Sequence, residues 1–171
     1  PTESPNATHY RLQAKQTARH NLEEARRFVH DLQPQLLDNQ SLPAALQRLA
    51  DRVSAENTFN VHFTITGTPS QLHPAIEVVA LRITQEALTN VSKHANASHV
   101  NITLSYLGQQ IILDIQDDGD GFVEDQRKLT GEFGLIGMRR RIDSIGGNFT
   151  LESTPDDGTT IAAELPLKPV Q

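Results

Sequence analysis

Three polar side chains are spaced so that one helix would carry them on the same face. Glu86, Asn90 and Lys93 stand at positions i, i+4 and i+7. An amide oxygen can ligate Mg²⁺, an ammonium can neutralise phosphate, and a carboxylate can orient or accept a proton. The set therefore suits a metal–phosphate group, although a solvated helix face held by i,i+4 pairs is the commoner meaning of such a pattern.

A second group follows a predicted strand, in the acidic and glycine-rich segment 117–122. The carboxylate of Asp117, at a strand end, can accept a hydrogen bond from an exocyclic amine such as that of adenine. Gly119 and Gly121 allow the backbone to pass close to a flat ligand. An ordinary turn is the alternative, because Asp and Gly are favoured in turns.

Two familiar ligand-binding loops do not fit this segment. A calcium loop of the EF type would need acids where Gln116 and Arg127 stand. A dinucleotide-binding loop would need a third glycine where Glu124 stands. The segment is therefore neither of these.

Two weaker features lie further along the chain. Gly134 and Gly137 open a predicted helix, and the free amides and positive dipole end of a helix start favour phosphate. The preceding connection, 123–133, could close over a ligand or simply be a loop. Thr159 begins the last predicted strand, where it could reach an adenine pocket, although threonine is ordinary there.

Hydrophobic periodicity predicts the elements that must position these residues. Ser41 is the predicted N-cap of the second helix, and Gly146 and Gly147 are the predicted C-cap of the last one. The predicted helices cover 9–33, 42–56, 74–95 and 135–145. The predicted strands centre on 59–65, 100–104, 111–115, 149–151 and 161–165, with turns at 108–109 and 155–158. This order predicts a mixed sheet with helices on one face, an α/β sandwich.

Composition narrows the class of protein. A chain of 171 residues suits one domain, or one domain plus a helical appendage. It has no cysteine, which excludes disulfides and cysteine-based metal sites, and a net charge of −6, which argues against a nucleic-acid partner. The sequence has no apolar run of about 20 residues, and its first residues lack the basic start and apolar stretch that are typical of a signal peptide.

Taken together, the order and separation of these features resemble the GHKL ATPases, a group that includes histidine kinases, gyrase, Hsp90 and MutL. The helix around Asn90 resembles their N box, Asp117-x-Gly119-x-Gly121 their G1 box, and residues 134–138 their G2 box. Segments 85–95 and 134–141 are similar in particular to the sensor histidine kinases of the NarX and DesK subfamily.

The resemblance implies a Bergerat-type sandwich that holds Mg-ATP, and it implies a role for each motif residue. For the phosphates, it implies Mg²⁺ ligation by Asn90, phosphate contact by Lys93 and His94, and assistance to the attacking histidine by Glu86. For the base, it implies recognition of the adenine amine by Asp117, a pocket shaped by Gly119 and Gly121, and a nearby position for Thr159. Gly134 and Gly137 are implied to give the lid and its helix start, and Leu135 and Met138 of the same motif are also expected to bind ATP. Glu132 departs from the pattern, because many relatives have a lid glycine there.

The same resemblance implies a domain organisation. Residues 1–8 are expected to be a disordered lead, 9–34 the second helix of a dimerisation and phosphotransfer region, and 35–171 the ATP-binding catalytic domain. His20 and His30 are then surface residues of a helix, and the phosphoacceptor histidine is expected outside the sequence.

The implied partners are a response regulator with a LuxR-type DNA-binding domain and, in the full-length kinase, a second copy. The domain is expected to be cytoplasmic and to reach a membrane only through preceding segments. Two alternatives remain: a protein-serine kinase of the anti-sigma-factor type, and a non-catalytic dimerisation module.

Overall fold

The structure, a computed structural model, describes residues 40–123 and 133–169. The predictions for 1–34, including the first helix, His20 and His30, lie outside the described residues, as does Glu132. All described residues belong to one compact unit. In the part of the chain that is described, no helix is both long and apolar enough to cross a membrane.

Helix α1 spans Leu42–Glu56, as the sequence predicts. Pro43 stands in its first turn, where a missing amide proton costs nothing. Ser41 occupies the predicted N-cap position, where its carbonyl accepts from the Ala45 amide at 3.1 Å, but its side chain makes no capping hydrogen bond. The helix is held instead by a buried face, which consists of Leu42, Ala45, Leu46, Leu49 and Ala50.

Helix α2 spans Pro74–Asn90 and continues as a π-helical turn over Val91–Ala95. The amide of Ala75 donates to Nδ1 of His73, which caps the start. The turn ends at Asn96, whose φ of 51° is left-handed. The predicted length of the helix is confirmed, but the widened last turn is not a feature that the apolar spacing indicates.

Five strands form one mixed sheet in the order β1-β2-β3-β5-β4. The strands are β1 Asn60–Thr66, β2 His99–Leu107, β3 Gln110–Asp117, β4 Asn148–Ser153 and β5 Thr159–Pro166. Strand β1 pairs with β2 in parallel, and the other pairs are antiparallel. In β2, β3 and β5 alternate residues are buried, so one face of the sheet is covered and the other is largely polar.

Helix α3 spans Phe133–Asp143, two residues earlier at each end than predicted. The amide of Gly147 donates to the Ile142 carbonyl, and that of Gly146 donates to the Asp143 carbonyl. With φ of 77° at Gly146, these two bonds form a Schellman motif, which confirms the predicted glycine cap.

The three helices and the covered face of the sheet share one core. Ile76 and Ile83 from α2 and Met138 and Ile142 from α3 are fully buried, as are the central residues of β2, β3 and β5. The predicted α/β sandwich is therefore the observed architecture, and its core holds the end of β3 against α2.

Candidate functional site

A row of four cross-strand partners lies at one end of the sheet. Val100 on β2 pairs with Asp117 on β3, Asp117 pairs with Thr159 on β5, and Thr159 pairs with Ser153 on β4. Directly opposed residues point to the same face, and this row continues the buried face of each strand. A carboxylate and two hydroxyls thus replace the aliphatic side chains that fill the rest of that face.

Asp117 is the central member of the row. Its side chain is buried, with the residue only 7% exposed, although it ends a strand. Its Oδ1 accepts a hydrogen bond from the Gly119 amide at 3.0 Å. This bond turns the chain sharply after β3 and fixes the carboxylate on the side of the sheet that faces α2.

A pocket opens between α2, the π turn, the end of the sheet and the start of α3. It brings together Asn90, His94, Asp117, Gly121, Leu135 and Thr159 of the residues predicted from the sequence. Its remaining lining residues are Ala87, Val91, Ala95, Ile115, Phe122 and Ile161. The pocket therefore has apolar walls with a few polar groups, as small-molecule sites usually do.

The glycines of the loop after β3 lie against backbone on both sides. A Cβ at Gly119 would lie 2.2 Å from the Ala95 carbonyl oxygen, and the Asp120 amide donates to that same oxygen at 2.7 Å. Gly121 has a φ of 57°, and a Cβ there would lie 2.0 Å from the Thr154 carbonyl oxygen. The loop is thus held between the π turn and the β4–β5 hairpin with no space for side chains.

The hairpin closes the same contact from the other side. Its Gly158 is buried, has a φ of 74°, and would place a Cβ 2.0 Å from the Asp117 carbonyl oxygen. The Asp156 amide donates to the Asp120 carbonyl at 2.8 Å. The turn over 155–158, predicted as a simple connection, therefore packs directly against the loop after β3.

Glu86 and Asn90 meet the start of α3. A Cβ at Gly134 would lie 2.4 Å from Oε1 of Glu86 and 3.7 Å from Oδ1 of Asn90. Two side-chain oxygens on successive turns of α2 thus converge on one point beside the first turn of α3. Carboxylate and amide oxygens are ligands that Mg²⁺ accepts, and it usually takes only one or two from protein when phosphate supplies others.

Lys93 does not lie with Glu86 and Asn90. It lines a different groove, between α1 and α2, together with Arg52, Thr89 and other polar residues of the two helices. The prediction of one shared face assumed 3.6 residues per turn, whereas the π turn that begins at Val91 is wider. His94 lines the pocket instead, where a regular helix of 3.6 residues per turn would have placed Lys93.

Two predicted residues of α3 have different positions. Met138 is fully buried in the core, so its contact is with the protein interior and it is not among the residues that line the pocket. Among the described residues, a Cβ at Gly137 would meet only Nη1 of Arg141, at 3.3 Å. Gly137 is therefore less tightly enclosed than Gly119 or Gly121.

Asp118, the variable residue of the Asp-x-Gly-x-Gly motif, supports the site from outside. Its Oδ1 accepts from the amides of Ser98 and His99 at 2.7 and 2.8 Å, and its Oδ2 lies 2.9 Å from Nδ1 of His99. The hydrogen bonds from His99, first the backbone and then the side chain, lower the pKa of Asp118 from 3.8 to about 2. Asp118 thus ties the start of β2 to the end of β3.

Ser153 and Phe122 also belong to the site, although no sequence pattern pointed to either of them. Oγ of Ser153 accepts from the Phe122 amide, donates to the Gly158 carbonyl, and lies 3.1 Å from Oγ1 of Thr159. The only signal available from the sequence was that hydroxyl residues stand on both sides of the turn over 155–158.

Several known proteins are similar to this chain in sequence. Residues 76–169 match the family model described as histidine kinase-, DNA gyrase B- and HSP90-like ATPase. The sequence is 33% identical over 147 residues to the signal transduction histidine-protein kinase/phosphatase DegS of Brevibacillus brevis, covering 86% of this chain and 38% of that protein. It is 32% identical over 146 residues to the sensor histidine kinase LiaS of Bacillus subtilis, covering 85% of this chain and 40% of the relative.

The fold is also found among solved structures. The blue-light activated histidine kinase of Erythrobacter litoralis EL346 superposes with a TM-score of 0.67 at 22% identity, over 86% of this chain and 50% of that one. At this identity the likeness concerns the fold alone. The chain spans about two fifths of the length of the two curated relatives described above.

Proposed function

The chain belongs to the histidine kinase-, DNA gyrase B- and HSP90-like ATPase family, and from that premise we propose that it is the catalytic ATP-binding part of a sensor histidine kinase. It binds Mg-ATP, and the γ-phosphate passes to a histidine outside the ATP-binding domain and then to a response regulator. The similarity to DegS and LiaS supports this function over a protein-serine kinase. Retention of all the polar pocket residues argues against a non-catalytic dimerisation module.

The observation that carries the proposal is the buried carboxylate of Asp117 at the end of β3. A buried carboxylate is stabilised by the hydrogen bonds that it accepts, and at the edge of a pocket it can accept one from a bound ligand. The Gly119 amide supplies one. An adenine amine entering the pocket supplies another, with Gly121 and Phe122 beside the base and Thr159 next to the carboxylate.

The phosphates then extend towards α2 and α3. Mg²⁺, when bound, neutralises the charge of the phosphate oxygens, and Asn90 is its protein ligand in this proposal. Phosphate contacts fall to His94, to the amides at the start of α3 near Gly134 and Gly137, and to Lys93. Because Lys93 lines the neighbouring groove, its long side chain must reach around the π turn to contribute. Its contribution is therefore expected to be smaller than that of His94.

Glu86 is assigned the only proton-handling role. Its carboxylate lies beside Gly134, next to the Asn90 amide. From there it can hold and orient an attacking imidazole and accept its proton as the bond from nitrogen to the γ-phosphorus forms, while the bond from that phosphorus to the β,γ-bridging oxygen breaks and ADP leaves. Glu86→Gln should therefore lower the rate of phosphoryl transfer while leaving ATP affinity nearly unchanged.

Nucleotide titration tests the site. Calorimetry with a non-hydrolysable ATP analogue should show tight binding that Asp117→Asn weakens by about tenfold or more, the equivalent of one charged hydrogen bond. Asn90→Ala should remove the part of the affinity that depends on Mg²⁺. Asp114→Asn is the matched control, because Asp114 lies on the same strand but on the opposite, polar face. Undiminished binding in both pocket variants would contradict the site.

Phosphoryl transfer distinguishes a histidine kinase from a serine kinase. The chain should be incubated with radiolabelled ATP and a helical fragment that carries an acceptor histidine from a similar sensor kinase. Label that is lost in acid and stable in base supports the proposal, and acid-stable label on serine supports the rival. Acid-labile phosphate on His30 in the chain alone would contradict the expectation that the acceptor lies elsewhere.

The partners follow from the same proposal. The whole kinase is expected to act as a homodimer in the cytoplasm and to phosphorylate a response regulator that carries a LuxR-type DNA-binding domain. Segments 85–95 and 134–141 are the basis for that choice of regulator. A phosphotransfer assay against regulators of several output classes tests it, and equal transfer to all of them would contradict the LuxR-type preference.

A further inference from the structure

The hydroxyl of Ser153 has no freedom in its hydrogen bonding. The Phe122 amide can only donate, so Oγ of Ser153 accepts from it, at 2.9 Å. The Gly158 carbonyl can only accept, so the single hydroxyl proton of Ser153 goes to it, also at 2.9 Å. Ser153 is then left with one lone pair and no proton.

This fixes the neighbouring hydroxyl as well. Oγ of Ser153 and Oγ1 of Thr159 are 3.1 Å apart, and either could be the donor on distance alone. Because the proton of Ser153 is already given to Gly158, Thr159 must be the donor. The proton of Thr159 therefore points along the sheet to Ser153, and the lone pairs of its oxygen are the part offered to the pocket that Thr159 lines.

Of the described polar side chains at this end of the sheet, the two that line the pocket, Asp117 and Thr159, then both present acceptors to it. Asp117 stands next to Thr159 in the same row, and as a carboxylate it too can only accept. A base that offers an amine at this edge meets two acceptors, while a base that offers a carbonyl oxygen meets repulsion from both. An acceptor-only wall of this kind discriminates more strongly than an apolar wall, because the mismatched polar group stays buried and unpaired.

We propose that Ser153 is a positioning residue which, by holding the Thr159 proton, makes the pocket select a 6-amino purine nucleotide over a 6-oxo one. This inference rests on the proposed function and deepens it, since it concerns how the ATP site chooses its base. Ser153 lies on β4 and is not among the residues that line the pocket, so it acts through Thr159.

The test compares the affinities for ATP and inosine triphosphate, which differ in having a 6-amino group or a 6-oxo group and, with it, an N1 atom without or with a hydrogen. In Ser153→Ala the hydroxyl of Thr159 is free to rotate and donate to the 6-oxo group. The ratio of the two affinities should therefore fall by about tenfold, the worth of one hydrogen bond that changes from mismatched to matched. Ser153→Thr retains the hydroxyl and should retain the ratio.

Two further variants separate this role from general support of the fold. Ser54 is a matched control in a different part of the molecule. Its half-buried hydroxyl also accepts a hydrogen bond from a backbone amide, that of Val61. Ser54→Ala should lower stability without changing the ratio. Thr159→Val removes the same acceptor but leaves the bonds from Ser153 to Phe122 and Gly158 in place, so it should lower the ratio even if Ser153→Ala does not fold.

The outcomes are distinct. A fall in the ratio in Ser153→Ala and Thr159→Val, and not in Ser54→Ala, supports the inference. Equal weakening of both nucleotides in Ser153→Ala, or an unchanged ratio in Thr159→Val, overturns the inference and leaves the ATP site standing. Failure of the unaltered chain to bind either nucleotide overturns the proposed function, and the inference with it.

Discussion

A methyl group at Gly119 should separate the loop after β3 from the π turn. The Cβ of Gly119→Ala would lie 2.2 Å from the carbonyl oxygen and 2.8 Å from the carbonyl carbon of Ala95. Both are backbone atoms at the end of a helix, and neither can swing aside as the tip of a side chain can. The loop must therefore move by about 1 Å to reach ordinary contact.

The cost can be worked out from the hydrogen bonds at this contact. The Asp120 amide donates to the Ala95 carbonyl at 2.7 Å, and the Gly119 amide donates to the Asp117 carboxylate at 3.0 Å. A neutral bond contributes about 1 kcal/mol, and a bond to a charged group about 1.5–3 kcal/mol. Loss of both should lower the free energy of unfolding by about 2–4 kcal/mol and the melting temperature by roughly 10 °C.

Far-UV circular dichroism during urea and thermal unfolding measures the stability, and calorimetry measures the affinity for ATP. We expect Gly119→Ala to lose most of that affinity, because Asp117 loses the bond that orients it. Gly108→Ala is the control: its Cβ meets nothing within 4 Å, and its φ of 68° costs about 1 kcal/mol. A Gly119→Ala protein that is as stable as the parent and binds ATP equally well would refute the steric argument.

Three further changes have definite expected outcomes. Asp118→Asn should lower the melting temperature at neutral pH, and its difference from the parent should close as the pH falls from about 4 towards 2. The reason is that folding lowers the pKa of Asp118 from 3.8 to about 2. The ionised carboxylate therefore stabilises the fold fully above pH 3.8, and this stabilisation is lost as the pH falls through about 2. A difference in melting temperature between variant and parent that does not vary with pH would contradict this. Gly137→Ala should raise the free energy of unfolding by about 0.5–1 kcal/mol in urea, because alanine is a better helix former than glycine and, among the described residues, its methyl group meets just the end of the Arg141 side chain; a loss of stability would show that this side chain does not give way. Met138→Ala should lower the free energy of unfolding by about 2–5 kcal/mol in the same measurement, because Met138 is fully buried. The molecules that remain folded should bind ATP with unchanged affinity, and weaker binding would show that Met138 does contribute to the site.

The elements could be predicted from the sequence wherever local patterns decide the structure. Helix α1 has the predicted bounds because Leu42, Leu46 and Leu49 form an apolar stripe. The alternation in β2 and β3 and the glycine pair after α3 are local signals of the same kind. The position of Asp117 could be predicted too, because a strand pattern leads directly into it.

What could not be predicted depends on contacts distant in sequence or on departures from ideal geometry. The π turn places Lys93 in the groove beside α1, and a 3.6-residue wheel cannot show this. Ser153 acts through Thr159 and Gly158, and the register of β4 on β5 is what brings them together. Ser41 looks like a cap by type alone, yet its side chain makes no capping bond.

The register of the sheet has a consequence for any preparation of this protein. Asp117 faces the pocket because β3 pairs with β5 so that it lies opposite Thr159. A slip of one residue would turn Gln116 and Asp114 inward and expel the aliphatic residues of β3 from the core, since side chains alternate along a strand. A molecule with this slipped register would therefore lose both the position of Asp117 in the pocket and the aliphatic packing of β3. The fraction of molecules that bind nucleotide, counted by active-site titration, should equal the fraction that is folded and serve as a measure of sample quality.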